Sequence, residues 1–488
     1  MLIKSTIRAV YLFFVSAVIL IWTNCTTTKA PNKIVTRQEV SFLREGSIVN
    51  PAIRGYWKSI GNGYILEARH DSILLYSYTT NFCYKEKNDY LEGLLNNEAR
   101  FSLQKDTLHI YKTDFGDKTT TIQIKHDYVR IDRLPQNHIS FSKMQKLSPK
   151  QLFNLFIETY EENYAFSKER NVNWQYIKTE FESKISDSTT ESELFQFFGQ
   201  IVTRTKDQHT KIIAENGQTL QYRITPSAEI VAEAFRSQSE IQKLDDYFNL
   251  FFTTNYKNIS DSLLAGKGHK VANGQLEWGN LTNTIGYLSI YSFTDFASKG
   301  TTRKQQIDSL AYHMEQIIGS FKDKEAIIVD VSFNFGGFDA AMLALASYFT
   351  DKPTLVYTSQ VYTNGKFHDE SKVYIQPVSK IAYTKPVYVL MTDISRSAAE
   401  GFAMTMKANS NVKLVGTHTL GILSSMLGKS IGNFYATLSN QRLLTPNGKY
   451  YEVGGVEPDS MITVFRKENI FGGHKEAVRK LVHRIETR

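Results

Sequence analysis

From about residue 50 to 140 apolar and polar residues alternate in short runs broken by Gly and Asn, as in "GYWKSIGNGYILEARHDSILLYSYTTNFCYKE" and "TTTIQIKHDYVRIDRL". A period of two with turn punctuation predicts a small β-sandwich or barrel-like domain. At Ser148 the period lengthens. In "SPKQLFNLFIETYEENYAF" Ser148 fits an N-cap and Pro149 the first helical position, and Leu152, Leu155, Phe156 and Tyr160 line one face. "TTESELFQFFGQIVTRTKDQHTKI" predicts a second helix, with Thr190 and Glu193 as a capping box, ending near Thr205. Residues 211–278 are polar; helix is expected over 233–250 and a loop or linker at "AGKGHKVANGQ". From Thr284 short buried runs ("TIGYLSIYSF", "EAIIVDVS", "PVYVLM", "VKLVG") alternate with helical patterns ("TTRKQQIDSLAYHMEQIIGSF", "FDAAMLALASYFT", "SAAEGFAMTMKAN"). That order predicts βαβ units and an α/β fold. "KEAVRKLVHRIETR" closes the chain as a helix.

Composition adds little to this and excludes something. With 42% hydrophobic and 22% charged residues over 488 positions, the chain can build several cores. The net charge of +8 is spread out, without a run of five or six Lys or Arg, which argues against nucleic acid as a partner. The first residues change the picture more. Lys4 and Arg8 precede an apolar stretch from Ala9 to Trp22, and Cys25 follows. This is a charged segment and a hydrophobic segment shorter than a membrane span. Ending on a cysteine, it resembles a bacterial lipoprotein signal, although "WTNC" departs from the small-residue pattern of that class. The resemblance implies lipidation at Cys25 and an exported chain anchored in the cell envelope, in the periplasm or at the outer membrane. Cys83 is then the sole remaining thiol, without a partner for an intrachain disulfide.

Three segments could carry chemistry. In "PVYVLMTDISRSAAE" Ser397 stands between a strand and a helix, where a hydroxyl can project beside backbone N–H groups. Ser397 and Glu400 equally fit a capping box. In "VDVSFNFGGFD" Gly336 and Gly337 join a strand to a helix, which suits either a tight turn or N–H groups presented to an anion. In "KDQHT" His209 lies at an element end; a histidine there is a candidate base or a solvated side chain. No His/Asp/Glu cluster has metal-ligand spacing, so no metal or other cofactor is called for.

Taken in order, "KDQHT" (206–210), "IIVDVSFNFGG" (327–337), "ISRSAAE" (394–400), "VGTHTLG" (415–421) and "YYEVGGVEPD" (450–459) resemble peptidase family S41, which holds the C-terminal processing proteases and the tricorn protease. The resemblance spans about 150–465 and implies a ClpP/crotonase-like α/β catalytic domain. Processing proteases pair the serine with a lysine in "T-x-G-K"; here "TLGI" puts Ile422 in the lysine's place, and Ile cannot take a proton. The tricorn-like branch uses a histidine from a "D-G-H-T" type motif, and "DQHT" matches with Gln208 for the glycine. The resemblance therefore implies Ser397 as nucleophile, His209 as general base and Glu452 as the orienting carboxylate, with Glu457 as fallback. The oxyanion would sit between the N–H groups of Gly337 (or Gly336) and Ala398. Ser332 stands where the family often has arginine, and Ser395 and His418 are rival nucleophile and base.

These readings divide the chain into a signal (1–25), a tether (26–48), an all-β domain (49–145), a helical subdomain carrying the histidine motif (146–278) and the α/β catalytic domain (279–488). They imply a serine peptidase acting on peptides or unfolded chains, held to the membrane through its N-terminal lipid. A non-catalytic ligand- or peptide-binding lipoprotein on the same scaffold is the alternative; an acyl-CoA enzyme of the crotonase-type fold accounts for fewer of the motifs.

Overall fold

The computed structural model describes residues 40–41, 43–44, 48–89, 100–115, 121–378 and 381–487. Cys25 and the segment before it lie outside these.

The alternating runs after residue 50 form one antiparallel series. Gly55–Ser59, Tyr64–Ala68, Ile73–Tyr78 and Cys83–Asp89 pair as a meander, and Arg100–Gln104, Thr107–Phe115 and Thr121–Ile131 extend the same nine-stranded sheet from its other side. The inward residues Trp57, Leu66, Ile73, Leu108, Ile110 and Tyr128 are buried together. Each such side chain contributes roughly 1.5–3 kcal/mol when fully withdrawn from water. The sheet is fastened to the rest of the protein at its edge aromatics: Tyr64 Oη donates to Gly428 O (2.5 Å), Tyr84 Oη to Ser430 O (2.6 Å), and Lys429 Nζ to Gly63 O (2.5 Å).

Two capped helices follow. Ser148 and Gln151 bond reciprocally at the start of Pro149–Asn163, and Thr190 and Glu193 do so at Glu191–Arg204. Phe156 stacks on Phe198 between them (4.1 Å). The region that follows is not purely helical. Lys211–Ile213 and Thr219–Gln221 form a four-stranded sheet with Met426–Ile431 and Phe434–Ser439. The single helix expected over 233–250 is two, Pro226–Arg236 and Leu244–Lys257. The Gln238 side chain ends the first by taking backbone partners itself, accepting from Ile241 N (2.9 Å) and donating to Phe235 O (3.2 Å). The expected linker 265–275 is partly strand: His269–Val271 turns back on Leu276–Asn280 through Ala272 and Asn273, both at positive φ.

That hairpin is the edge of a seven-stranded sheet. Ile285–Ile290, Ala326–Asp330, Val387–Met391, Val412–Gly416 and Ser460–Met461 run parallel in that order. Ala326–Asp330 is buried along its whole length because both faces are covered. Ile327 and Val329 point toward the helices Arg303–Phe321, Asp339–Ala346 and Ala398–Met406. Ile328, one residue out of phase, points toward Pro226–Arg236, Leu244–Lys257 and Gly473–Glu486. The α/β architecture read from the sequence is the one observed, and it sets the ends of two strands, at Asp330 and Met391, side by side.

Candidate active site

At the end of Val387–Met391 the chain turns sharply and re-enters as Ala398–Met406. Ser397 sits on that turn at φ +56° and ψ −123°, a conformation that costs a residue with a Cβ about 1–3 kcal/mol and persists only where neighbours enforce it. The enforcing bonds are visible. Ser395 Oγ accepts from Thr392 N (3.1 Å) and donates to Val331 O (2.7 Å), and Thr392 Oγ1 donates to Ser332 O (2.8 Å). Ser395 is thus fully buried and committed to holding the turn, while Ser397 is half-buried. Ser397 and Glu400 stand as the N-cap and N3 of this helix. Glu400 Oε2 accepts from Ser397 N (3.1 Å), and Glu400 N donates to the Ser397 carbonyl (2.9 Å).

The glycine loop lies against this turn. Gly336 is at φ +99°, and a Cβ there would stand 2.8 Å from Ser397 Cβ and 2.8 Å from Arg396 O. Gly337, at φ +146°, packs so tightly on Phe293 that a Cβ would fall 2.4 Å from its carbonyl carbon. No larger residue fits either place. Gly336 N donates to Asn334 Oδ1 (2.8 Å), so that N–H is spent. The bonds around Gly337 run from Phe293 N to Gly336 O and from Phe338 N to Phe293 O, leaving the Gly337 N–H out of the ladder. Ala398, as the first residue of its helix, has no intrahelical acceptor for its N–H.

The histidine segment reaches the serine segment through their preceding residues: Arg396 Nη1 donates to Gln208 Oε1 (2.5 Å). His209 itself is buried at 4% exposure, with Nδ1 paired to no described group. Burial holds the imidazole down at about pKa 4; Asp207 and the Ser424 backbone oppose this, and Lys211 and Arg396 reinforce it. Asp207 grips the backbone rather than the ring, accepting from His209 N (2.8 Å) and from Tyr164 Oη (3.1 Å). Burial alone would raise the Asp207 carboxyl, but Arg170 and His209 outweigh it and keep it below the usual range.

Glu452 is expected against the imidazole. Its oxygens are taken otherwise, Oε1 by Arg170 Nη2 (3.2 Å) and Oε2 by Ser424 N (2.9 Å), so its link to His209 runs through the Ser424 peptide. Burial, with Asp207 nearby, pushes the Glu452 carboxyl up to about 8. Glu457 is on the surface, paired with Lys449 (2.6 Å). His418 is exposed, its ring against Gly454 O at 3.4 Å. Ile422 is buried, and its N–H joins those of Gly421 and Ser397 and the Thr419 hydroxyl on the Glu400 carboxylate. Burial pushes that carboxyl up to about 7 against four donors that favour its anion.

Sequence reasoning did not find Arg170. It lies in the loop after Pro149–Asn163 and donates to Lys206 O (2.8 Å), Gly421 O (2.9 Å) and Glu452. Nothing local in "SKERNVNW" marks it; its role appears only when its three partners, distant in sequence, are in place.

A parallel sheet covered on both faces, with a strained serine and a glycine loop at adjacent strand ends, defines the class as an α/β fold built around a strand-end site. Over the part that carries this site the chain is similar to peptidase family S41. The family model described as Peptidase family S41 matches residues 284–462, and that of the Tricorn protease C1 domain matches residues 146–203. It is similar to the carboxy-terminal processing protease CtpA of Bacillus subtilis, 29% identical over 177 residues, which cover 36% of this chain and 34% of that one. It is also similar to the chloroplastic carboxyl-terminal-processing peptidase 1 of Arabidopsis thaliana, 26% identical over 182 residues, covering 37% and 34%. The chain thus spans about a third of the length of these curated relatives. A crystal structure described as that of a peptidase candidate, from Parabacteroides merdae, shares the fold with a TM-score of 0.54 at 23% identity, over 69% of this chain and 97% of that one.

Proposed function

We propose that this chain is a serine peptidase hydrolysing peptides or unfolded proteins, with Ser397 as nucleophile and His209 as general base. The observation that carries this reading is the Arg396–Gln208 bond, which fastens the residue before Ser397 to the residue before His209 across nearly two hundred positions. Ser397 Oγ attacks the scissile carbonyl, and His209 takes its proton and returns it to the leaving amine. An imidazole held near pKa 4 is neutral at pH 7, the form that accepts a proton. The oxyanion lies between the N–H groups of Gly337 and Ala398, the two not spent on other partners, and each is worth about 2.7–4 kcal/mol of barrier. Glu452 acts as a positioning residue. It holds the N–H of Ser424, the residue whose backbone on its other side favours the imidazolium of His209.

Lipidation at Cys25 and an envelope location belong to the same proposal and rest on the N-terminal sequence alone. No helix among the described residues is long and apolar enough to cross a membrane.

A fluorophosphonate probe tests the reading. We expect folded wild type to be labelled, Ser395→Ala to keep the label and Ser397→Ala to lose it together with peptide hydrolysis. A folded wild type that takes no label and cleaves no denatured protein supports the binding-protein alternative.

A further inference from the structure

The two side-chain bonds that pin the Ser397 turn to the neighbouring strand end on adjacent carbonyls, those of Val331 and Ser332. These residues follow Asp330, where the strand Ala326–Asp330 stops, and lead into the glycine loop. Asp330 sets how the chain leaves the strand. Its side chain is buried and its two oxygens are divided. Oδ1 accepts from Ser332 N (2.8 Å), bending the backbone that carries both carbonyls. Oδ2 accepts from Tyr287 Oη (2.5 Å) and from His474 Nε2 (2.6 Å). Burial would raise this carboxyl, but His474, Tyr287 and Ser332 outweigh it and hold it below the usual range. Asp330 is therefore the anion, and the imidazole is the donor.

His474 comes from far along the chain. It is the second residue of Gly473–Glu486, which lies past residue 462, where the S41 match ends. Gly473 lets that helix start hard against Val464, since a Cβ there would fall 2.3 Å from Val464 O. The imidazole is fully buried, its ring 4.9 Å from that of Phe333 in the segment it holds. Withdrawing ionisable groups from water costs several kcal/mol for each ion. Docking the helix does not require it, because Ala477, Val478 and Leu481 are already buried in the apolar core on that face.

We propose that His474 is a positioning residue for the nucleophile: through Asp330 and Ser332 the C-terminal helix sets the turn on which Ser397 stands. The relay has three steps, from His474 Nε2 to Asp330, from Asp330 to Ser332 N, and from Ser332 O to the Thr392 hydroxyl. Without the imidazole the buried carboxylate keeps only the Tyr287 hydroxyl on Oδ2 and is driven to take up a proton. Its grip on Ser332 N then weakens, and the two carbonyls shift under the turn. The relay rests on the peptidase reading, since it takes Ser397 as the nucleophile.

The rate of fluorophosphonate labelling, measured on the full chain, reads the hydroxyl without a known substrate. We expect His474→Leu to slow labelling of Ser397 by about ten- to a hundredfold, the range that a displaced reacting group gives, and to lower kcat on a denatured protein with KM little changed. His474→Gln keeps a donor of similar reach and should recover most of the rate. Leu481→Ala loosens the same helix without touching Asp330. It should lower the melting midpoint and, well below that midpoint, label within about twofold of the wild-type rate. Should His474→Leu fail to fold, Tyr287→Phe, which takes the second donor from the same oxygen, decides: slower labelling supports the relay and an unchanged rate overturns it. The relay is also overturned if His474→Leu labels at the wild-type rate. It falls likewise if Leu481→Ala slows labelling as much as His474→Leu does, which would make the helix a support for the fold and leave the peptidase standing. A folded wild type that takes no label removes the nucleophile, and the relay with it.

Discussion

The Ser397 side of the site is held largely by backbone and small side chains, the His209 side by buried charge. On the first, a turn at positive φ is pinned by Ser395, Thr392 and Asn334 against carbonyls and amides of the neighbouring loop, and two glycines admit close approach. On the second, Asp207, Arg170 and Glu452 lie within one buried network, tied to Tyr164 and to the Ser424 peptide. Backbone bonds do not titrate; among the described groups bonded to Ser397 itself the one that does is Glu400, which accepts from Ser397 N and is raised to about 7. A buried ionic network is sensitive to loss of a partner and to pH, because an uncompensated charge has nowhere to go. The contrast predicts that damage on the serine side shows in kcat with the fold intact, and that damage on the histidine side shows in stability as well, except at the proposed base, His209.

The largest effect should come from that exception. His209→Ala removes the proposed proton acceptor while leaving Asp207, Arg170 and Glu452 in place, so kcat should fall by roughly 10^4-fold or more with a cooperative melt retained. Peptide turnover and a thermal scan on the same sample check it. Unchanged turnover would detach the histidine side from the chemistry altogether.

The two sides also differ in how well the sequence shows them. The serine side is contiguous in pattern: buried runs end at Asp330 and Met391, and Gly336, Gly337 and Ser397 follow within a few residues, so strand periodicity and turn chemistry place them. Glu400 reads as a capping residue and is one, but its bonds to Thr419, Gly421 and Ile422 are long-range and leave no local trace. On the histidine side the motif shows His209 but not what surrounds it. Lys211–Ile213 pairs with Phe434–Ser439, more than two hundred residues on, so a segment that looks merely polar becomes a buried strand. Arg170 and the route from Glu452 through Ser424 exist only after that pairing. The missed hairpin Thr354–Thr363 with Lys366–Ile375 is another matter, since Asn364-Gly365 is a local turn signal.

Next in size is Arg170→Met. It strips the countercharge from Asp207 and the donors from Glu452 and from the Lys206 and Gly421 carbonyls. Loss of one partner of a buried network costs about 3–5 kcal/mol, read as a lower denaturant midpoint. A loss under about 1 kcal/mol would mean that the histidine side is no more charge-dependent than the serine side. Gly337→Ala sharpens the comparison from the opposite direction. The new Cβ must push Phe293 away, which withdraws the Gly337 N–H from the proposed oxyanion site; kcat should drop roughly 10^2–10^3-fold with KM little changed. Should KM rise instead with kcat unchanged, the glycine loop would be a binding surface and not an oxyanion hole.

The smallest expected effect separates the two sides by pH. The Glu452 carboxyl is raised to about 8 from an ordinary 4.5. Between those values the folded protein holds a proton that the unfolded chain has released, so this group's contribution to stability falls as pH rises from about 5 to 8. His209, lowered to about 4 from 6.5, works the other way and costs stability as pH drops below 6.5. Glu452→Gln removes the first slope and keeps the second. Thermal melts from pH 5 to 8 should therefore show the parent losing stability relative to Glu452→Gln with each step upward, whatever offset the variant starts from. Parallel curves would mean that Glu452 stays ionised throughout this range, with Arg170 and Ser424 N–H together outweighing its burial.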